Sequence, residues 1–212
     1  MKMNKSMYSL MLMDDVVKAV DRYAYLHNTN RSNLINQILA EYLDIRTPEM
    51  TNREIFGLIS DLIDKEIFQV THNTSDSMLS IRSSLQYKYR PTIKYNFELY
   101  RNFAESIGQL TVTFRTQSPQ LLLELSHFFK YWLACEQQQS DCKMQYLADV
   151  GKFVRLISLP GEFDNKTISA ALTNYILLFD SILKKYLNRA YNDFEQFAND
   201  YYSLRNYYDI RV

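Results

Sequence analysis

The stretch that decides the reading of this chain is Met7-Tyr8-Ser9-Leu10-Met11-Leu12-Met13-Asp14-Asp15-Val16-Val17. Up to Met13 it fits a short strand, with Tyr8, Leu10 and Leu12 on one face and Met7, Ser9 and Met11 on the other. At Asp14-Asp15 the period changes. Carboxylates suit a first helical turn, where they face the positive end of the helix dipole. Val16, Val17, Val20, Tyr23, Ala24 and Leu26 then keep helical spacing. His27-Asn28-Thr29-Asn30 is a polar break of turn-forming residues. A second helix is expected from near Ser32, carrying Leu34, Ile35, Ile38, Leu39, Tyr42 and Leu43, and Thr47-Pro48 ends the unit.

Working outward, a third helix is expected from Thr51, where Glu54 completes a capping box ahead of Ile55, Leu58, Ile59, Leu62 and Ile63. Residues 79–115 alternate with a period of two. Leu79, Ile81, Leu85, Tyr87 and Tyr89, then Ile93, Tyr95, Phe97 and Leu99, then Leu110, Val112 and Phe114 fall on one face. This predicts a three-stranded antiparallel sheet with one buried face. Ser118-Pro119 starts a helix that runs through Phe128, Phe129 and Trp132 to Glu136, with Pro at the first helical position. A shorter helix is expected over residues 144–156. Residues 167–205 contain no Gly or Pro and read as one long helix or two end to end. The expected fold class is α+β and mostly helical, in two domains, residues 1–47 and 51–212.

Composition narrows the function. In 212 residues, 24 Lys+Arg balance 24 Asp+Glu, which argues against a polybasic protein but not against a local basic face. Four Gly and four Pro leave no room for a long flexible linker, and 17 Tyr argue against disorder. The apolar run behind Lys2 and Lys5 is too short for a signal peptide, and residues 175–179 are too few to span a membrane. His27, His72 and His127 are scattered, and Cys135 and Cys142 make no metal-ligand spacing, so neither a metal nor a cofactor is expected. No phosphate loop, nucleophile elbow or paired-carboxylate motif points to an enzyme. Residues 74–116 hold six basic and three acidic side chains, with Arg82, Lys88, Arg90, Lys94 and Arg115 on the polar sheet face against Glu98. That reads as a solvated face with protected edges, the sharper alternative being a surface for an anionic partner.

The runs Tyr8-Ser9-Leu10-Met11-Leu12, Asp21-Arg22-Tyr23-Ala24 and Asn30-Arg31-Ser32-Asn33-Leu34-Ile35, at this spacing, resemble the ribbon-helix-helix (Arc/MetJ/CopG-type) DNA-binding family. The resemblance covers residues 7–43. It implies a homodimer or higher homo-oligomer whose two strands pair as a ribbon in the major groove of double-stranded DNA. Tyr8, Leu10, Leu12, Val20, Ile35 and Leu39 would form the dimer core. Met7, Ser9 and Met11 would read bases. Lys2, Lys5, Asn30, Arg31 and Ser32 would hold phosphates, the last three at a helix start where free N–H groups converge. The implied function is a cytoplasmic, nucleoid-associated transcriptional repressor, of a plasmid or mobile element, with an oligomerisation, sensor or partner-binding domain behind it. Two methionines stand where family members usually carry polar base readers. This keeps open an alternative, a module that uses the unit only to dimerise while residues 51–212 bind a protein.

Overall fold

Thr47-Pro48 begins a helix rather than merely ending a unit. In the computed structural model, which describes residues 7–26, 29–72, 76–87, 89–101, 106–139, 143–158, 161 and 164–209, Thr47 accepts a hydrogen bond from the Met50 N–H at 3.2 Å. Pro48 fills the first helical position, where its missing N–H costs nothing. The described residues form six α-helices and six strands in the order α1 (Asp14–Leu26), α2 (Arg31–Tyr42), α3 (Pro48–Leu62), β1 (Gln69–His72), β2 (Met78–Ser84), β3 (Thr92–Leu99), β4 (Gly108–Arg115), α4 (Pro119–Gln137), β5 (Met144–Leu147), β6 (Lys152–Ile157), α5 (Asn165–Leu187) and α6 (Phe194–Tyr207).

The strands form one antiparallel sheet in the order β1-β2-β3-β4-β6-β5. The expected fold class is therefore corrected in three respects. The sheet has six strands, not three. Residues 7–13 form no strand, so helices come first and no ribbon exists among the described residues of one molecule. Residues 144–156, expected as a helix, are the β5–β6 hairpin, joined by a 3-10 turn and Gly151 at φ 54. The core face of β6 explains that misreading. Phe153, Arg155 and Ile157 all point inward, and a charged residue at the central inward position hides the alternation.

The alternation in β2, β3 and β4 matches the buried face: Leu79, Ile81, Ile93, Tyr95, Phe97, Leu110 and Val112 are all buried. Gly108 is required where β4 meets β3, because a Cβ there would stand 2.3 Å from the Glu98 carbonyl oxygen. Helices α4 and α5 lie on this face. Phe129 stacks on Phe153 with ring centroids 5.0 Å apart, and Phe179 meets Tyr95 edge-on at 6.0 Å. Helix α3 packs along α5, and α6 packs on α4 and α5. The Ser169 hydroxyl ties the first of these pairs by donating to the Ile55 carbonyl at 3.2 Å.

Residues 167–205 resolve into two helices. Arg189 takes a left-handed conformation at φ 60, and the Ala190 N–H turns back to the Lys185 carbonyl at 3.0 Å. This is the usual reversal at a helix end, with Arg in the place Gly normally holds. Helix α2 stops the same way: Asp44 sits at φ 53, and the Ile45 N–H bonds the Ala40 carbonyl at 2.8 Å. Helix α6 restarts the chain with Asp193 as its cap, accepting from the Gln196 N–H at 2.9 Å.

Charge is also buried in this core. Arg155 and Glu136 are 1% and 0% exposed and meet at 3.2 Å. Tyr201 donates to the other Glu136 oxygen at 3.2 Å, and the Arg155 guanidinium lies 4.5 Å from the centre of the Tyr175 ring. Burial holds the Tyr201 phenol well above its ordinary pKa, so it stays a donor. Beside it, burial pushes the Cys135 thiol up to about 11, which leaves it protonated and unreactive near neutral pH. Cys142 lies outside the described residues.

Candidate nucleic-acid interface

Helices α1 and α2 pack on each other, yet Ala24, Leu34 and Ala40 are their only buried apolar residues among those described. Fifteen of the twenty-one large hydrophobic side chains exposed in the described chain fall within residues 7–45. That concentration far exceeds the scattered apolar exposure normal for a monomer surface. Of the expected dimer core, Tyr8, Leu10, Leu12 and Leu39 are exposed, and Val20 and Ile35 are half-buried. Tyr23, Leu26, Ile38, Tyr42, Leu43 and Ile45 extend the same uncovered surface.

The expected base-reading residues Met7, Ser9 and Met11 are exposed, but so is their other-face set, because nothing in the described chain lies against either side. Lys2 and Lys5 lie outside the described residues. Asn30 caps α2, its side chain accepting from the Asn33 N–H at 2.9 Å. Arg31 and Ser32 occupy the exposed first turn, where N–H groups have no acceptor within the helix.

Arg31 is already engaged. Its Nε donates to Asp21 Oδ1 at 2.7 Å and its Nη2 to Oδ2 at 2.5 Å, a forked clasp from α1 to the start of α2. The bond from Arg31 holds the Asp21 carboxyl below its usual range. A depressed carboxylate pKa means the clasp is intact above the ordinary carboxylate range and is lost as pH falls through the lowered value. This partner is not legible in the sequence. The two residues are ten apart across a turn, and no local spacing marks such a pair.

The unit is joined to the body at few points. The Gln37 side-chain amide donates to Asp76 at 3.2 Å, and Arg53 of α3 reaches the same carboxylate at 3.4 Å. Between α2 and α3, Leu43, Asp44, Ile45 and Arg46 are exposed, whereas Thr47 is buried. Trypsin is therefore expected to cut first at Arg46 and release a folded body starting at Thr47, slightly ahead of the expected residue 51. A mass-spectrometric time course checks this. A body that unfolds on release would show that the two parts share a core.

In the body, a cavity of about 450 Å³ lies beside α5, lined by Ile67, Phe68, Asp180, Lys184, Lys185 and Tyr208 among others. Both of its lysines are paired: Lys184 with Asp180 at 2.6 Å and Lys185 with Asp200 of α6 at 2.8 Å. Among the described residues no cluster of His, Cys, Asp or Glu could hold a metal ion, and no helix is long and apolar enough to cross a membrane. No protein-family model matches the chain, and no curated protein or solved structure is significantly similar to it.

Proposed function

We propose that the protein is a dimeric, sequence-specific regulator of double-stranded DNA, a repressor, in which residues 7–13 of two copies pair as a ribbon for the major groove. The observation that carries this reading is the uncovered apolar surface of residues 7–45 beside a segment with no strand partner of its own. A lone strand cannot persist in water, and short helices are marginal without tertiary packing. A second copy of the same surface supplies both at once. Burying a leucine fully contributes about 1.5–3 kcal/mol. Leu10, Leu12 and Leu39 are 62%, 41% and 47% exposed, so burying the remainder in two copies supplies roughly 5–9 kcal/mol, against about 4–15 kcal/mol for the freedom given up on association. The tyrosines and isoleucines around them tip the balance. A regulator of this kind would reside on the nucleoid.

The ribbon's outer face would then be Met7, Ser9 and Met11. Ser9 can exchange hydrogen bonds with base edges, and methionines can touch thymine methyls. The test begins with selection of bound duplexes from a random pool, followed by titrations on selected and random DNA at two salt concentrations. Ser9→Ala should narrow the gap between the two by about 1 kcal/mol, the value of one neutral hydrogen bond. Arg31→Ala should weaken binding on all duplexes and flatten the salt dependence by about 0.9 for each phosphate no longer neutralised. Asp21→Asn should do the reverse, because it frees Arg31 from its clasp. Absence of binding by the wild type in low salt would end the regulator reading.

A second reading has its own support. Met7 and Met11 are fully exposed and offer no hydrogen-bond donor, and the Arg31 charge is matched by Asp21. In that case the unit only dimerises, and the body binds a protein partner. Dimerisation without DNA binding is the result that selects it.

A further inference from the structure

We propose that the open face of the sheet is a second, sequence-independent binding surface for the phosphate backbone of duplex DNA. The helices cover one face only, and the other carries the outward residues of all six strands. Pairing brings Arg82, Lys94, Thr113 and Lys152 into one row across β2, β3, β4 and β6. Arg115 stands in the next row, opposite Thr92, and Arg90 lies exposed in the turn at the same end. Lys152 joins this set only through the β5–β6 hairpin. None of Arg82, Lys94, Arg115 and Lys152 forms an ion pair or side-chain hydrogen bond with a described residue.

Like charges directly opposite each other on a sheet are destabilising, and Arg82 stands directly opposite Lys94. The outward acidic residue on these strands, Glu98, is four positions along β3 from Lys94, roughly 13 Å away at the usual strand rise. An anionic partner would relieve this repulsion. At about 4.8 Å per strand, Arg82 and Lys152 are roughly 14 Å apart, a length of duplex that carries about eight phosphates. Thr92, Thr111, Thr113 and Asn96 add neutral hydrogen-bonding groups around the row. No aromatic side chain of β2, β3, β4 or β6 points to this face, which argues against stacking of single-stranded bases. Charges are depleted at the centre of protein–protein interfaces, which argues against an acidic protein.

This extends the regulator reading to the body of the protein, and the two can fail separately. The experiment uses the full-length chain and fluorescein-labelled duplexes, both selected and random, with anisotropy read at several salt concentrations. The triple variant Arg82→Gln/Lys94→Gln/Lys152→Gln should bind random duplex at least about tenfold more weakly at roughly 50 mM salt. Its slope of log affinity against log salt should fall by about 2.7, three phosphates at about 0.9 each. Its thermal unfolding should be unchanged or slightly raised. Glu98→Gln should strengthen binding and guards against a folding artefact. Leu10→Asp should retain the weak, salt-sensitive binding that the triple variant loses. A triple variant with wild-type affinity and slope overturns the proposal, even where sequence-specific binding survives. Loss of binding in the triple variant, with no sequence preference in the wild type, upholds it while the ribbon reading falls.

Discussion

Leu10→Asp is expected to convert a dimer into a monomer without unfolding the body. Leu10 is 62% exposed in the single chain, so aspartate there costs an isolated molecule little. In the proposed paired state the same position would lie at the centre of the ribbon's inner face. A carboxylate there has no partner, and burying it costs several kcal/mol. Two copies meet across the two-fold axis, so the cost is incurred twice. Sedimentation should show the wild type as a dimer at micromolar concentration and the variant as a monomer with an unchanged melt of the body. Sequence-specific DNA binding should disappear with the dimer, because each half-site then binds alone. A stable wild-type monomer at micromolar concentration would remove the premise of the proposed function.

Glu136→Ala acts on the other part of the molecule and has the largest expected effect on stability. It strips Arg155 of its carboxylate partner and Tyr201 of its acceptor, and both side chains are buried. Breaking a buried pair from one side typically costs about 3–5 kcal/mol, since a buried charge loses its counter-charge. For a chain of this size each kcal/mol lowers Tm by about 2–4 °C, so a drop on the order of 10 °C is expected in calorimetry. The double variant Glu136→Leu/Arg155→Met removes both charges and should recover most of the loss, because apolar groups of similar volume can replace a buried pair. Should the single variant fail to fold, the double variant still decides. A double variant no better than the single one would mean that Tyr201 and Tyr175, rather than charge pairing, fix this part of the core.

The amino-acid sequence determined those elements whose physics is local. Alternation is written into β2, β3 and β4 because consecutive side chains of a strand face opposite sides, and within those strands the residues it assigns inward are the buried ones; Tyr87 and Tyr89, assigned to the same face, lie beyond the end of β2, half-buried and exposed. The start of α4 is legible because a capping hydroxyl followed by proline, Ser118-Pro119, is chemistry within four residues; the same chemistry at Thr47-Pro48 starts α3 ahead of Thr51, where a capping box with Glu54 points. The polar break after α1 and the apolar spacing of α1 and α2 are legible for the same reason.

Other features depend on residues that are distant in sequence and meet only in the folded chain. The β5–β6 hairpin could not be read from its own pattern, because Arg155 on the core face is paired there with Glu136, nineteen residues earlier. The break after α5 carries no glycine, and Arg189 accepts a left-handed backbone there as the chain turns into α6. Asp21 becomes the partner of Arg31 only when α1 folds back along α2. Residues 7–13, expected as a strand, form none among the described residues. A strand is a relation between two backbones, and here the second backbone is not supplied by the described residues of the same molecule.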